Sequence, residues 1–130
     1  MGNFELKWSD FEGNLATSFK DLREDGDLFD VTLVCDDDQL EAHKVILSAS
    51  SVFFKSIIKK NPHTHPLIYF KGVNIEDMRA LIDFIYLGQT SVSQDEVQAF
   101  LTLGEELGVK GLIRNNQMEN MAKPKIGRNI

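Results

Sequence analysis

The chain has 130 residues, of which 42% are hydrophobic and 26% are charged, and its formal net charge is −6. This size and composition are typical of one globular domain, and no apolar stretch reaches the roughly 20 residues that a membrane helix needs. Because the basic residues are scattered through an acidic chain, we do not expect this domain to bind a nucleic-acid backbone directly.

The first element has the alternation of a short strand. Phe4, Leu6 and Trp8 alternate with Glu5 and Lys7, so three large apolar side chains share one face. No hairpin partner follows this strand, and an exposed strand of this kind has to pair with a sheet edge somewhere. Two pairings stay open from the residues alone: pairing within the same chain, or pairing with a second copy.

The next stretch predicts a helix that starts at Ser9. Ser9 and Glu12 have the spacing of a capping box, and Gly26 is a typical helix stop. The large apolar side chains between them recur at helical spacing, at Phe11, Leu15, Phe19 and Leu22. Together with the strand that lacks a partner, this apolar helix motivates the hypothesis that the chain forms a homodimer.

The middle of the chain predicts a hairpin, two short helices and a further strand. Residues 29–35 form one strand of the hairpin, and the three aspartates at 36–38 turn the chain into the second. Residues 44–61 have a helical pattern that restarts at Ser50 or Ser51. Residues 66–70 then form a short strand.

The last third of the domain predicts two helices with an extended stretch between them. Asn74 is a favourable N-cap residue and Gly88 a favourable C-cap residue for the first of these helices. Gln89–Val92 is brief and extended, and Ser93 and Glu96 form a second capping box before the final helix.

This order of elements predicts an α+β domain over residues 1–113, with a small mixed sheet wrapped by helices. The strands are too few and too short for a doubly wound sheet. Residues 114–130 are polar and predict a linker or tail.

Candidate catalytic and metal-binding residues are few. The histidines are His43, His63 and His65, and none is placed to activate Cys35, which we predict to face inward. The aspartates at 36–38 lack the spaced ligands of a calcium loop, and a solvated turn explains them better. We therefore expect no enzyme, no cofactor and no metal. The single cysteine also favours a reducing compartment.

Several segments taken together resemble a BTB/POZ domain: DVTL at 30–33, AHKVILSA at 42–49, FF at 53–54 and LIDFIYLG at 81–88. Two more resemble the insect tramtrack and longitudinals-lacking subgroup: FELKW at 4–8 and VKGL at 109–112. Ser50 stands where that subgroup often has Cys, and Val52 where it often has Pro. The resemblance covers roughly residues 4–113.

The resemblance implies a homodimer through the first helix, with the N-terminal strand exchanged onto the partner's sheet near residues 89–92. The implied interface consists of six apolar residues: Phe4, Leu6, Trp8, Phe11, Leu15 and Phe19. It also implies assemblies larger than a dimer, association with other BTB domains or with corepressor and chromatin proteins, and a nuclear transcription or chromatin regulator whose DNA-binding fingers lie elsewhere.

In BTB domains the positions of Asp30 and Lys44 form a charged pocket near the dimer groove, and the resemblance implies the same here. Two roles stay open for them, a buried pair that holds the dimer together or a partner-binding pocket. The alternative function is a substrate adaptor for a cullin-3 ubiquitin ligase. Such adaptors typically carry a glutamate after the Phe53-Phe54 helix, where this chain has Lys59, Lys60 and Asn61.

Overall fold

The computed structural model describes residues 2–113, and the predicted linker or tail at 114–130 lies outside the described residues. The elements follow one another as α1 Phe11–Glu24, β1 Val31–Cys35, β2 Asp38–Ala42, α2 Lys44–Ser50, α3 Val52–Lys60, β3 Leu67–Phe70, α4 Ile75–Leu87, a 3₁₀ turn Gln94–Glu96 and α5 Val97–Glu106.

The three strands form one small mixed sheet in the order β2-β1-β3. β1 pairs with β2 in antiparallel register, from Val31 opposite Ala42 to Cys35 opposite Asp38. β1 also pairs with β3 in parallel register, starting with Thr32 opposite Leu67. The predicted α+β architecture is therefore confirmed.

The core lies between one face of this sheet and the helices. Alternate residues of β1, namely Val31, Leu33 and Cys35, are buried, because successive side chains of a strand point to opposite faces. Phe54 of α3 and Leu81 of α4 are fully buried against them. Burying each such side chain contributes roughly 1.5–3 kcal/mol, so this layer accounts for much of the stability of the fold.

Three helix ends lie where the sequence places them. The Ser51 hydroxyl accepts a hydrogen bond from the Phe54 N–H at 3.1 Å and starts α3. The Asn74 side chain accepts one from the Glu76 N–H at 2.8 Å and starts α4. Gly88 ends α4 with a φ of 77°, the left-handed conformation that glycine adopts without a Cβ clash.

The two predicted capping boxes are wrong. α1 begins after Asp10, whose backbone has a φ of 52° and whose side chain makes no cap hydrogen bond, so Ser9 stands one residue too early. At the second site the Ser93 side chain makes no cap hydrogen bond either, because residues 94–96 form a tight 3₁₀ turn before α5. A capping box needs its Ser at the N-cap of an α-helix, whereas the N-cap of α1 is Asp10 and the second site has 3₁₀ geometry.

The single chain forms no strand at residues 2–8 and none at residues 89–92. Strand geometry is stabilised by backbone hydrogen bonds to a neighbouring strand, and neither segment pairs with the three-stranded sheet of the described residues. Pairing of the N-terminal segment within its own chain, one of the two alternatives, is therefore not seen.

Candidate interaction surface

The first turn of α1 and the segment before it form an exposed apolar surface. Phe4 and Leu6 are 93% and 91% exposed, and Trp8 is 60% exposed. Phe11 and Leu15 on α1 are 48% and 36% exposed, and no residue of α1 is fully buried. Large side chains that stay in water over a contiguous stretch mark an interaction site more often than isolated ones do.

The six predicted interface residues divide into two groups in this structure, five that are exposed and one that is partly buried. The Trp8 and Phe11 rings contact each other edge to face, with centroids 5.0 Å apart. Phe19, one turn beyond Leu15, is partly buried against the core of its own chain. We name the exposed set, Phe4, Leu6, Trp8, Phe11 and Leu15, the N-terminal apolar surface.

Only the C-terminal half of α1 is fixed to the rest of the domain. The Arg23 guanidinium donates to the Asp83 carboxylate of α4 at 2.6 Å, and it also lies 4.9 Å from the centroid of the Tyr86 ring. This ion pair is partly buried, so solvent screens it less than an ion pair on the surface. Arg23 thus orients α1 so that its N-terminal turns project away from the core.

A buried hydrogen-bond network supports this attachment. The His43 Nε2 lies 2.7 Å from the Asp27 carbonyl, and its Nδ1 lies 2.6 Å from the Tyr86 hydroxyl. A carbonyl only accepts, so Nε2 carries a proton; the Tyr86 oxygen accepts from the His43 backbone N–H at 3.0 Å, which directs the phenolic proton to Nδ1. The network ties the loop after α1 to both α2 and α4.

Two buried groups have shifted acidities. Burial raises the pKa of Tyr86, and the charge of Asp30 adds to that effect, while the His43 hydrogen bond and the Arg23 charge oppose it. Burial also raises the pKa of the Cys35 thiol, with smaller contributions from Asp36 and Asp38. A buried thiol that stays protonated is a poor nucleophile. Cys35 therefore acts as an apolar side chain of the core.

Asp30 contacts Lys44, but the contact is made with the backbone of Lys44 and not with its side chain. The Asp30 carboxylate accepts a hydrogen bond from the Lys44 N–H at 2.7 Å, at the first residue of α2. The Lys44 ammonium points elsewhere and donates to the His63 carbonyl at 2.9 Å. Among the described residues no ion pair joins the two side chains, so Asp30 acts here as a cap of α2. Its role as part of a binding pocket stays a prediction.

The described part of the chain, residues 2–113, contains no cluster of three or more His, Cys, Asp or Glu side chains suited to a metal ion. Over the same range, no helix has the length and apolar character to cross a membrane.

The fold and the exposed surface define a small α+β interaction domain. The family model for the BTB/POZ domain matches residues 19–123, and the Drosophila melanogaster protein "Longitudinals lacking protein-like" is 44% identical over 109 residues, which cover 84% of this chain and 86% of that protein. The chain therefore belongs to the BTB/POZ domain family.

Other relatives are much longer than this chain. "Protein abrupt" is 39% identical over 85% of the chain, and "Protein tramtrack, alpha isoform" is 39% identical over 87%, both from Drosophila melanogaster. The chain spans only 12% and 14% of these two proteins. Among solved structures, the BTB domain of zebrafish PATZ1 matches with a TM-score of 0.74 and 20% identity, covering 85% of this chain and 91% of that one. That match supports the fold.

Family membership gives the coarse function: the chain is a protein-interaction module. The sequence predicted this class, while the assignment of the N-terminal apolar surface to a dimer interface stays a prediction. The sequence did not predict the contact of His43 with Tyr86 or of Arg23 with Asp83, because these residues lie 43 and 60 positions apart in the sequence. No local spacing rule connects residues at such distances.

Proposed function

We propose that this chain forms a homodimer through α1, with the N-terminal segment of each copy paired with the sheet of the other. The observation that carries the proposal is the N-terminal apolar surface, in which five large side chains within residues 4–15 stay exposed in the single chain. A second copy is the partner that covers this surface on both molecules at once, because a two-fold interface uses the same patch twice.

The energetics favour burial of this surface in an interface. Fully burying each of these side chains contributes roughly 1.5–3 kcal/mol, and five of them occur on each copy. Association costs on the order of 4–15 kcal/mol in lost translational and rotational freedom. The apolar contribution is therefore of the size that a stable dimer requires.

Exchange of the N-terminal segment follows from the unpaired backbone. Residues 2–8 and residues 89–92 are each without strand pairing in the described chain. Pairing one with the other across a two-fold axis would satisfy both segments and would occur twice per dimer. The exchange would also order the segment that carries Phe4, Leu6 and Trp8.

The wider function that we propose is in a nuclear transcription or chromatin regulator, where the domain clusters its partners. Those partners are further copies, other BTB domains, and corepressor or chromatin proteins. The formal charge of −6 does not favour direct DNA binding, so contact with DNA would require other polypeptide segments. Clustering such segments raises their apparent affinity by avidity.

A pull-down between a tagged and an untagged copy of the chain tests the α1 interface. Leu15→Asp places a charge on the exposed apolar side of α1 and should reduce recovery of the untagged copy at least tenfold, about 1.4 kcal/mol. Thr17→Asp is the matched control, because it lies on the opposite side of the same helix and should leave recovery unchanged. Recovery of Leu15→Asp at the wild-type level would rule out this interface.

The cullin-3 adaptor alternative makes a different prediction. An adaptor would co-purify with cullin-3, whereas the proposed module co-purifies with BTB-containing partners. Lys59 and Lys60, at the end of α3 where a glutamate would be typical, disfavour the adaptor function.

A further inference from the structure

Both outer strands of the sheet have a free edge. The Thr32 N–H donates to the Pro66 carbonyl at 3.0 Å, so alternate residues of β3 face β1 and the backbone groups of Leu67 and Tyr69 point outward. The hairpin closes at Cys35 opposite Asp38, so residues 39 and 41 of β2 point outward in the same way. Within residues 2–113 no further strand pairs with either edge.

An apolar groove lies beside the free edge of β3. It has a volume of about 200 Å³ and lies between β3 and the end of α3, lined by Ile57 and Ile58 on one side and by Leu67 and Tyr69 on the other. Leu67 and Tyr69 are 61% and 56% exposed. Strand addition to an edge next to such a groove is an established mode of recognition, in which the backbone gives affinity and alternate side chains enter the groove.

The two edges carry opposite charge. Residues 42–75 contain no carboxylate, and this stretch exposes four lysines on α3 and directly after β3: Lys55, Lys59, Lys60 and Lys71. At the other edge, the hairpin turn and β2 expose four carboxylates: Asp36, Asp37, Asp38 and Glu41. In the described part of the chain none of these eight side chains forms an ion pair.

We propose that the β2 edge of one copy adds to the β3 edge of another and continues the sheet from molecule to molecule. The carboxylates at 36–41 would then lie beside Lys59, Lys60 and Lys71. Leu40, which is half-buried on the core-facing side of β2, would face the groove between β3 and α3. The inference rests on the proposed function, because it supplies the contact that joins dimers into larger assemblies.

The geometry of the contact determines how such an assembly grows. The two edges are different surfaces, so the interface is heterologous, and every copy presents one edge of each kind. Growth therefore does not stop at a fixed number of dimers unless the rotation between copies closes a ring. Because the strands have only four and five residues and the charges are exposed, the contact is weak and sensitive to salt.

The competing explanation is that β3 is protected from pairing. A short edge strand preceded by a proline and followed by a lysine is a common way to prevent aggregation. Lysines repel a basic edge, but they attract an acidic one, and the acidic edge belongs to the same chain. The opposite charges on the two edges favour association between copies.

Light scattering on the full chain, over a range of concentrations at low and high ionic strength, tests the proposal with a charge swap. The wild type should exceed the mass of a dimer at low ionic strength and return to it at high ionic strength. Two double variants test the charges, Lys59→Glu with Lys60→Glu and Asp37→Lys with Asp38→Lys. Each should raise the dissociation constant of the contact between dimers at least tenfold. Combining all four changes should restore the contact. Melting curves verify that each variant is folded.

The control is Arg79→Glu with Lys110→Glu, which changes the net charge by the same amount as the lysine pair but lies on α4 and after α5, outside α3 and β3. This variant should assemble like the wild type. A wild-type mass that stays at the dimer value at low ionic strength would overturn edge pairing and leave the dimer intact. A variant with all four substitutions that does not assemble beyond the dimer would also overturn edge pairing. A monomeric wild type would instead contradict the proposed function.

Discussion

At the scale of single residues, Asp30 and Lys44 show that two residues identified by a resemblance can contact each other through a backbone group. The resemblance implied that Asp30 and Lys44 form a charged pocket, with a buried pair as the alternative, and the two residues do lie next to each other. The carboxylate accepts from the backbone N–H of Lys44, however, and the ammonium reaches the His63 carbonyl instead. Sequence alone cannot distinguish a carboxylate that binds the Lys44 side chain from one that binds the Lys44 N–H. Both arrangements bring the same acidic residue close to the first residue of α2.

This geometry predicts a moderate effect of Asp30→Asn on stability. Asparagine keeps an oxygen for the Lys44 N–H but loses the charge at the start of α2, so the free energy of unfolding should fall by about 1 kcal/mol. Breaking a buried ion pair would cost about 3–5 kcal/mol. Lys44→Gln is the matched control and should cost less than Asp30→Asn in urea unfolding. Losses above about 3 kcal/mol for both variants would indicate a side-chain ion pair instead.

At the scale of secondary structure, elements with local signals at both ends were predictable. α4 is bounded by Asn74 and Gly88, as the sequence indicates, because its caps and its apolar periodicity lie within one stretch of chain. The start of α1 was missed because Asp10 adopts a left-handed backbone conformation that no spacing rule reveals. The alternation of the N-terminal segment predicts a strand, but a strand also requires hydrogen bonds to a neighbouring strand, and residues 2–8 make none in the single chain.

Deletion of residues 1–8 separates assembly from folding. The segment contacts little of its own chain, since Phe4 and Leu6 are almost fully exposed, so each truncated subunit should retain its secondary structure by circular dichroism. The apolar area of three large side chains would be lost from the interface, so the dimer dissociation constant should rise by at least 100-fold, about 2.7 kcal/mol. A truncated chain that associates as tightly as the full chain would contradict strand exchange while leaving an α1 dimer possible.

At the scale of the whole molecule, the domain combines a well-buried core with an apolar surface that the single chain leaves in water. The core elements pack around Leu33, Phe54 and Leu81, while α1 is fixed mainly by Arg23 and by the network at His43. This division explains why the α+β fold could be predicted from apolar periodicity, whereas the contacts that orient α1 could not. It also places the proposed surface of self-association on the part of the molecule least embedded in its own core.

The absolute mass of the full chain in solution, measured by light scattering down to micromolar concentration and at high ionic strength, tests the central claim most directly. Obligate interfaces commonly bury more than about 2,000 Å², so the dimer should persist across this range. We predict a mass of twice the 14.7 kDa of a single chain, with no lighter species. A folded species at 14.7 kDa that is stable at micromolar concentration would contradict the account.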